Sequence, residues 1–472
     1  MRRLPVKVQG YNLENRAKRG EVTVFLSLVF ILIVSFITAM ISSASLQVSK
    51  NQKRLLADQA MYSLFGEYQI ELLKEYGIFA IEGSYESGNF KEENLIERMQ
   101  YYGLSGIQTE ITDLQLLTDS KGAVFREAVI CYMENRYGLD LVRDLLNTAQ
   151  QWEEQEIQGE KVEDEEEKNS SILEDELTEN EVSLPVEGNP LVQIESIKKT
   201  GILRLVMPKD MSVSEKGIRS EEQVSNRQLI SGRGSFPSRV DIDNIAGKLL
   251  FHEFILDRFQ NATEELSEKR TLAYEAEYIL AGKESDVQNL EAVVKKILLI
   301  QTGLNYAYLL QDTTKQAEAE ALALTLTTLI GIPVIEKLVT QALLAAWAFG
   351  EGIMDVRCLM GGKKVALIKN SESWQLSLSS LLKLGTEEDS LEGEDTQGGI
   401  GYKDYLRMLF FLANKDEISM RTLDRIEENM KYEKDKKFFR TDACVLKIKT
   451  KNKAEIYQGF TYEFPLYFGY EQ

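Results

Sequence analysis

The chain has 472 residues, with 75 acidic against 55 basic side chains and a formal net charge of −20. A surface this acidic repels phosphates, so the charge balance excludes a protein that binds nucleic acid through a basic face. Apolar residues make up 43% of the chain, which is enough for a folded core and too much for general disorder. The length predicts one large domain or two smaller ones.

The N-terminal region contains an uncharged and largely apolar run from Val22 to Ser49. A helix needs about 20 apolar residues to cross a bilayer core, and we expect a transmembrane helix over 22–44. A cleaved secretory signal is the alternative, with Ser43-Ala44-Ser45 as a cleavage-site look-alike, but its apolar core would be shorter. The principal anchor residues are Val22, Phe25, Leu26, Leu28, Phe30, Ile31, Ile33 and Phe36.

The segment before this run, 1–21, is basic and predicts the topology. Its charges are Arg2, Arg3, Lys7, Arg16, Lys18 and Arg19, against Glu14 in the first 20 residues. Because basic flanks stay cytoplasmic, we expect a single-pass cell-membrane protein with a cytoplasmic N-terminus and an extracellular C-terminal body. Arg19-Gly20 also resembles a prepilin leader, so cleavage between Gly20 and Glu21 is an alternative start. Such substrates usually carry Glu five residues after the cut, where this chain has Phe25.

Residues 45–151 predict a membrane-proximal lobe of helices and strands. No Pro or Gly occurs between Gly20 and Gly66, and apolar residues keep helical spacing beyond Ser49, so the membrane helix is expected to continue as an amphipathic helix. The patterns that follow predict a helix over 92–102, a strand over 106–117 and a long helix over 123–152.

A strongly acidic stretch, 152–189, separates this lobe from the rest of the chain. Its first part, 152–184, holds 14 acidic and 2 basic residues, a net charge of −12. Such a block repels itself and buries little, which predicts a disordered linker. Calcium binding is the alternative, but the stretch has no D-x-D-x-D-G loop.

Residues 190–472 predict the main extracytoplasmic domain, giving a helix-dominant α+β fold with few scattered antiparallel strands. Two apolar halves in 319–350 are each too short to span a membrane, so buried core helices are expected and a membrane hairpin is the alternative. Ser419 is the expected N-cap of the helix over 419–433, and 385–399 is expected to be a flexible acidic loop. The other predicted helices are 245–265, 286–311 and 402–414, and the predicted strands are 271–280, 364–369, 442–449 and 459–470.

The chemistry-bearing residues form no recognisable catalytic motif. His252 stands in H-E-F-I-L, without the second histidine of a zinc protease, and is interpreted as a packed or surface residue. Cys131, Cys358 and Cys444 are far apart, which favours buried thiols and leaves one disulfide open. The loop 231–235, with its Gly-Arg-Gly, is interpreted as a linker, with anion binding as the alternative. We therefore predict no catalytic, cofactor-binding or metal-binding residue and no enzyme activity.

The sequence resembles two known groups of proteins. Residues 18–62 resemble the N-terminal region of TadE/TadG-like proteins of tight-adherence (Tad) pilus systems. The likeness lies in a basic stretch and Gly, one apolar helix, and a Leu-x-x-x-Asp-x-Ala-like segment, here Leu55-Leu56-Ala57-Asp58-Gln59-Ala60. Over more of its length the chain resembles an uncharacterised membrane-anchored family of Gram-positive bacteria, often described near such pilus genes. That likeness is carried by TVFLSLVF, AEYILAGKESDVQNL, LLAAWAFGEGIMDVRCLMGGKKVALIK and GYKDYLRMLFFL.

The resemblance implies a location in the cell envelope and an association with a pilus or secretion apparatus, and it implies no catalytic residue. We expect a non-enzymatic, membrane-anchored extracytoplasmic component of a Tad-like apparatus, either a minor pseudopilin-like subunit or an assembly protein. Its expected partners are the lipid bilayer and other pilus or secretion membrane proteins, with no nucleic acid and no cofactor. The alternatives are a free-standing surface receptor or adhesin and a carboxylate-dependent cell-envelope enzyme.

Overall fold

The computed structural model describes residues 14–209, 211–264, 267–328 and 330–470. The fold is α+β and dominated by helices, with one small antiparallel sheet, as the sequence predicts. The described residues form two compact units. The first comprises 14–67, 92–113 and 448–469, and the second comprises 68–91, 114–447 and residue 470.

The helices in chain order are α1 Glu14–Phe65, α2 Ile70–Tyr76, α3 Glu92–Met99, α4 Asp119–Tyr137, α5 Asp140–Glu179, α6 Pro190–Lys198, α7 Ile202–Val206, α8 Ile245–Arg258, α9 Glu275–Ala281, α10 Asp286–Leu309, α11 Thr313–Thr327, α12 Pro333–Met360, α13 Tyr402–Leu412 and α14 Lys415–Tyr432. The strands are β1 Ile81–Glu82, β2 Ile107–Leu116, β3 Cys444–Glu455 and β4 Thr461–Gly469. A short π-helical turn, Gln100–Leu104, follows α3.

Helix α1 is a single element of 52 residues, roughly 78 Å long at 1.5 Å per residue. This confirms that the apolar run continues without a break into the amphipathic segment. Toward its C-terminal end Ala57, Ala60, Met61 and Leu64 are buried, and this end packs on α3, the π-helical turn and β4. The apolar run and the packed end are therefore parts of one rod.

Most of the apolar part of α1 is exposed, and none of it is buried. The eight anchor residues expose between 50% and 67% of their surface. Among the described residues, α1 is the one helix long and apolar enough to cross a membrane. Arg2, Arg3 and Lys7 lie outside the described residues. The backbone of Arg16, Lys18, Arg19, Gly20 and Glu21 is helical and belongs to the start of α1.

Strand β3 is the centre of the sheet, since it pairs with each of the other three strands. The register of β1 places Ile81 opposite Val445 and Glu82 opposite Cys444. Strands β2, β3 and β4 occur close to the predicted ranges 106–117, 442–449 and 459–470, because their apolar and polar residues alternate as a half-buried strand requires.

The acidic stretch differs from its prediction, because α5 runs through it to Glu179. Its inner face repeats every three or four residues and buries Trp152, Gly159, Val162 and Leu173, while most acidic side chains point away from it. This stripe packs on α10 and α12. A sparse stripe of inward positions is therefore sufficient to dock a helix whose composition is strongly acidic.

The close packing of α5 on α10 depends on two glycines. A Cβ built at Gly303 would lie 2.5 Å from Cα of Gly159, and one built at Gly159 would lie 3.1 Å from the carbonyl oxygen of Leu299. Glycine is the residue that allows two backbones to approach this closely. The disordered-linker prediction therefore does not describe 152–179.

Several local predictions also change. Residues 275–281 are helix α9 rather than part of a strand, because Ala, Glu and Leu favour a helix. In the predicted strand 364–369 a single bridge joins Val365 to Ile400. Asn414, not Ser419, caps α14, and its side chain accepts hydrogen bonds from the backbone N–H groups of Asp416 and Glu417.

Two further predictions concern loops and core helices. The acidic loop 385–399 is held to α12, since Asp389 pairs with Arg357 and accepts hydrogen bonds from the backbone N–H groups of Gly385 and Leu391. The apolar stretch 319–350 forms α11 and α12, two helices connected near Pro333. Helix α12 buries most of its length, which agrees with the expected core helices.

Candidate functional site

The second unit contains a buried ion cluster, which we define as Glu351, Asp355 and Lys369. The two acids lie one turn apart on α12, and Lys369 follows on the segment after it. The Nζ atom of Lys369 donates to Oε1 of Glu351 at 2.7 Å and to Oδ1 of Asp355 at 2.6 Å, and all three side chains are 0% exposed. A buried ammonium between two carboxylates offsets part of the cost of removing each charge from water.

Further polar groups complete the buried ion cluster. Oδ2 of Asp355 accepts hydrogen bonds from Gln301 and Asn305 of α10, at 3.1 and 3.2 Å. Glu351 accepts the backbone N–H groups of Gln375 and Leu376. Burial and the neighbouring Glu351 raise the pKa of Asp355, although Lys369 opposes this. The pKa of Lys369 is lowered by burial, but the two carboxylates outweigh this and raise it overall. The cluster is closed to solvent, so its role is to hold α12, α10 and the 369–376 segment together.

A second polar network surrounds α14, whose packed face is unusually polar. Its buried polar side chains are Ser419, Thr422, Asp424, Arg425, Glu427 and Asn429. Nearby on α9, Glu277 is fully buried, and its Oε1 accepts hydrogen bonds from Tyr402 and from the backbone N–H of Ala262. Burial raises the pKa of Glu277 to about 7, against the lowering effect of these hydrogen bonds.

A polar cavity of about 1000 Å³ adjoins this network, within the second unit. Its walls are the end of β2 with the start of α4, the stretch 224–236, and the start of α14. We call it the polar cavity. Its charged lining residues are Asp119, Lys121, Arg227, Arg233, Asp416, Glu417 and Arg421. The mixture of cations and carboxylates suits a polar ligand and does not favour either sign strongly.

One wall of the polar cavity is a left-handed backbone turn. Ser120, Lys121 and Gly122 have φ values of 53°, 54° and 77°, so right-handed helix begins only at Ala123. Ser120 and Lys121 are consecutive non-glycine residues with left-handed backbone, and each costs of order 1–3 kcal/mol in backbone strain. Such residues persist only where the surrounding packing enforces them. Gly122 is required by space as well, because a Cβ there would lie 2.9 Å from Cβ of Ser419.

Asp119 holds the loop 231–235 against the end of β2. Its Oδ1 accepts the backbone N–H of Gly232 at 2.8 Å, and its Oδ2 accepts that of Leu116 at 2.7 Å. Burial raises the pKa of Asp119, which these two hydrogen bonds oppose. The backbone of Arg233 exchanges two hydrogen bonds with Leu114. The N–H groups of Gly232 and Arg233 are thus already used and are not available to a bound anion.

The floor of the polar cavity is formed by side chains bound to α14. Tyr278 donates its hydroxyl to Asp424 at 2.7 Å, and Ser225 binds the same carboxylate through its N–H and its hydroxyl. Burial raises the pKa of Asp424 despite these three donors. Arg227 donates two hydrogen bonds to Glu427 and one to Asp442. These hydrogen bonds hold the side chains of the floor in place, so the floor is pre-organised.

Some polar atoms of the polar cavity have no partner within the described part of the chain. They are Oε1 of Gln115, Oγ1 of Thr118 and Nε of Arg227. Thr118 is 4% exposed, so its hydroxyl is shielded from bulk water. Buried polar groups without partners are the groups that a bound water or ligand satisfies. The geometry supports hydrogen-bonded binding of a polar molecule.

The remaining sequence candidates are packing residues. His252 is 4% exposed and its ring stacks on Phe410; burial, with a smaller effect of Lys248, lowers its pKa to about 3. Cys131, Cys358 and Cys444 are free and buried, as favoured. Burial raises the pKa of each thiol, which disfavours the reactive thiolate. Among the described residues no cluster of His, Cys, Asp or Glu has the arrangement of a metal site.

The profile of a protein family of unknown function, DUF5702, matches residues 180–456. The chain belongs to this family. The match begins directly after α5 and includes the buried ion cluster and most of the lining of the polar cavity, whereas α1 lies outside it. No curated protein and no solved structure matches the chain significantly.

The buried ion cluster and the polar cavity were not predicted from the sequence. One signal was present for the cluster, since Glu351 and Asp355 stand four residues apart in the most apolar helix after the anchor. Two acids on one buried face of a helix require a cation, and only the fold identifies it as Lys369. For the polar cavity the local signal is the Gly-rich stretch 231–235, but its partner Asp119 is more than 110 residues away in sequence.

Proposed function

We propose that this protein is a non-enzymatic, membrane-anchored component of a Tad-like pilus or secretion apparatus, either a minor pseudopilin-like subunit or an assembly protein. The observation that carries the proposal is α1, a single rod whose apolar part is uncovered and whose other end packs on its own unit. An uncovered apolar helix of this length needs lipid or other helices around it. The resemblance of residues 18–62 to TadE/TadG-like proteins supplies the kind of apparatus.

Details of α1 are compatible with a lipid environment. The hydroxyl of Ser27 donates to the carbonyl oxygen of Val24, and that of Thr38 donates to the carbonyl oxygen of Val34, both at 2.8 Å. Hydroxyls bonded to their own helix need no water. Small residues, including Ser35 and Ala39, leave room for close contact with another membrane helix. The basic N-terminal charges support a cytoplasmic N-terminus and an extracellular body.

The test combines topology with partner capture in intact cells. Single cysteines introduced by Gln9→Cys and Val186→Cys are treated with a membrane-impermeant maleimide; Val186 is 73% exposed. Labelling at 186 and protection at 9 is expected, and the reverse pattern would refute the orientation. Cross-linking and mass spectrometry through a C-terminal tag should recover pilins, Tad-type platform proteins or a secretion ATPase. Recovery of abundant bystanders alone would sink the assembly proposal.

The polar cavity favours a second candidate function, a surface receptor for a polar ligand. Its volume, pre-organised floor and unpartnered Thr118 hydroxyl are features of a binding site rather than of a surface that only packs on partners. A Thr118→Val variant distinguishes the two functions. Loss of a thermal shift with a polar ligand, with pilus partners still recovered, would favour the receptor function for this cavity.

A further inference from the structure

The turn between β3 and β4, residues 456–460, lies against α1 at the end of its uncharged run. The backbone N–H of Tyr457 donates to Oγ of Ser49 at 3.2 Å. Nζ of Lys50 lies 5.5 Å from the ring centre of Tyr462. All of these residues belong to the first unit, so the contacts fix the position of the turn along α1.

The position along α1 gives the depth of this turn relative to a bilayer. From Ala44, where the expected span ends, to Ser49 the helix rises about 7.5 Å. A hydrocarbon core of about 30 Å within a bilayer of about 40–45 Å leaves each headgroup layer roughly 5–8 Å thick. The turn therefore lies at the level of the headgroups, whichever side of the membrane it faces.

The exposed side chains of the turn suit this layer. Tyr457 is 41% exposed and Phe460 is 57% exposed, in a turn that is closed by the Ile456 N–H bound to the carbonyl oxygen of Phe460. Tyrosine is enriched at membrane interfaces, because its apolar body and polar tip match the change from lipid to water, and phenylalanine buries its ring at the boundary between headgroups and acyl chains.

The charge around the turn also fits lipid phosphates. The ranges 50–58 and 449–463 hold six basic and three acidic residues, although the whole chain has a net charge of −20. Lys451 pairs with Glu463 at 3.1 Å, and the exposed Lys453 and Arg54 lie on the same unit. A local basic excess next to an apolar helix is the arrangement that attracts phosphate headgroups.

We propose that the β3–β4 turn is a second, interfacial membrane anchor, with Tyr457 and Phe460 inserted among the lipid headgroups and the neighbouring basic side chains on lipid phosphates. The proposal rests on α1 crossing the membrane, as proposed above. Two points of attachment would restrict the tilt and rotation of α1, which a single helix leaves free. The first unit would then present the same face to neighbouring proteins in the membrane.

Depth-dependent quenching tests the proposal on the full-length protein in phosphatidylethanolamine–phosphatidylglycerol vesicles. An environment-sensitive fluorophore is attached to a cysteine introduced by Gln458→Cys, with the unmodified chain as the labelling blank because its three thiols are buried. The same fluorophore at a cysteine introduced by Ile33→Cys reports whether the expected span 22–44 lies among the acyl chains. Tyr101→Cys is the matched control, since Tyr101 is 76% exposed in the same unit. Its neighbour Arg98 pairs with Glu67, which lies two residues past the end of α1. That end of α1 is roughly 24 Å beyond Ser49 along the helix.

Headgroup spin labels should quench the probe at 458 at least twofold more than deep acyl-chain labels do, and should leave the probe at 101 unaffected. Deep labels should quench the probe at 33. If 33 is quenched and 458 behaves like 101, the interfacial anchor is refuted while the membrane span stands. If 33 is not quenched, the span itself fails. Adding Tyr457→Ser and Phe460→Ser should reduce the headgroup quenching at 458 at least threefold, and unchanged quenching would overturn the role of these rings.

Discussion

The contact between Gly159 of α5 and Gly303 of α10 predicts whether the substitution Gly303→Ala stabilises or destabilises the fold, and by how much. In an exposed or undocked helix, Gly→Ala stabilises by about 1 kcal/mol through helix propensity. At Gly303 the new Cβ would lie 2.5 Å from Cα of Gly159, where ordinary contacts are 3.4–4 Å. The helices must separate by about 1 Å, and overpacking of this kind costs about 1–3 kcal/mol.

The net effect of Gly303→Ala is therefore a loss of up to about 2 kcal/mol, and Gly303→Val, which adds two more methyl groups, should lose more. Lys296→Val is the matched control, because it places the same side chain at an exposed position of the same helix and should change stability by at most about 0.5 kcal/mol. Thermal unfolding of the detergent-solubilised chain measures the difference. A loss of 1 kcal/mol lowers Tm by roughly 2–4 °C in a domain of 150–250 residues and by less in a larger one.

Limited proteolysis with a Glu-specific protease gives an independent measurement on the same variants. Docked α5 should be cut slowly between 153 and 179 in the wild-type chain and faster in Gly303→Val. A rise in Tm for Gly303→Ala, or immediate cleavage of the wild-type segment, would refute the docked helix and restore the disordered linker. The two measurements thus decide between the structure and the expectation from charge alone.

Three other substitutions test the buried polar groups of the second unit. Lys369→Met leaves Glu351 and Asp355 buried without their cation, so the free energy of unfolding in urea should fall by about 3–5 kcal/mol. Lys364→Met, at an exposed position, should be nearly neutral. Equal effects of the two substitutions would contradict the buried ion cluster. Glu277→Gln tests the pKa raised to about 7: wild-type stability from this group is complete below about pH 4.5 and is lost as the pH rises through 7. The variant should therefore match the wild type at pH 4.5 and exceed it by up to about 3 kcal/mol at pH 8 in pH-dependent Tm measurements, and a difference independent of pH would exclude this titration. Gly122→Ala, at φ 77° and against Ser419, should lose about 1–3 kcal/mol in the same thermal assay, while Gly201→Ala, in open space at φ −60°, should change little.

Local patterns in the sequence are sufficient to predict those elements whose formation depends on a single segment. An uncharged run of apolar residues predicts α1, because the length and hydropathy of one segment decide whether it can cross a bilayer. Alternation predicts β2, an aromatic run predicts β4, helical spacing predicts α10, and a strongly apolar stretch predicts α12. The three cysteines are buried thiols, as the sequence favoured, and His252, interpreted as a packed or surface residue, is packed.

The acidic charge of α5, by contrast, obscured a stripe that becomes favourable only when Gly159 meets Gly303 of another helix. Lys369 became identifiable as the cation of Glu351 and Asp355 only once the chain after α12 folded back over it. The polar cavity likewise depends on Asp119 reaching a loop that is remote in sequence. The sequence by itself determined the long apolar N-terminal helix and the helix-dominant class of the fold. The tertiary structure alone decided which charges are buried together, because the free energy of a buried charge depends on partners that folding brings from distant parts of the chain.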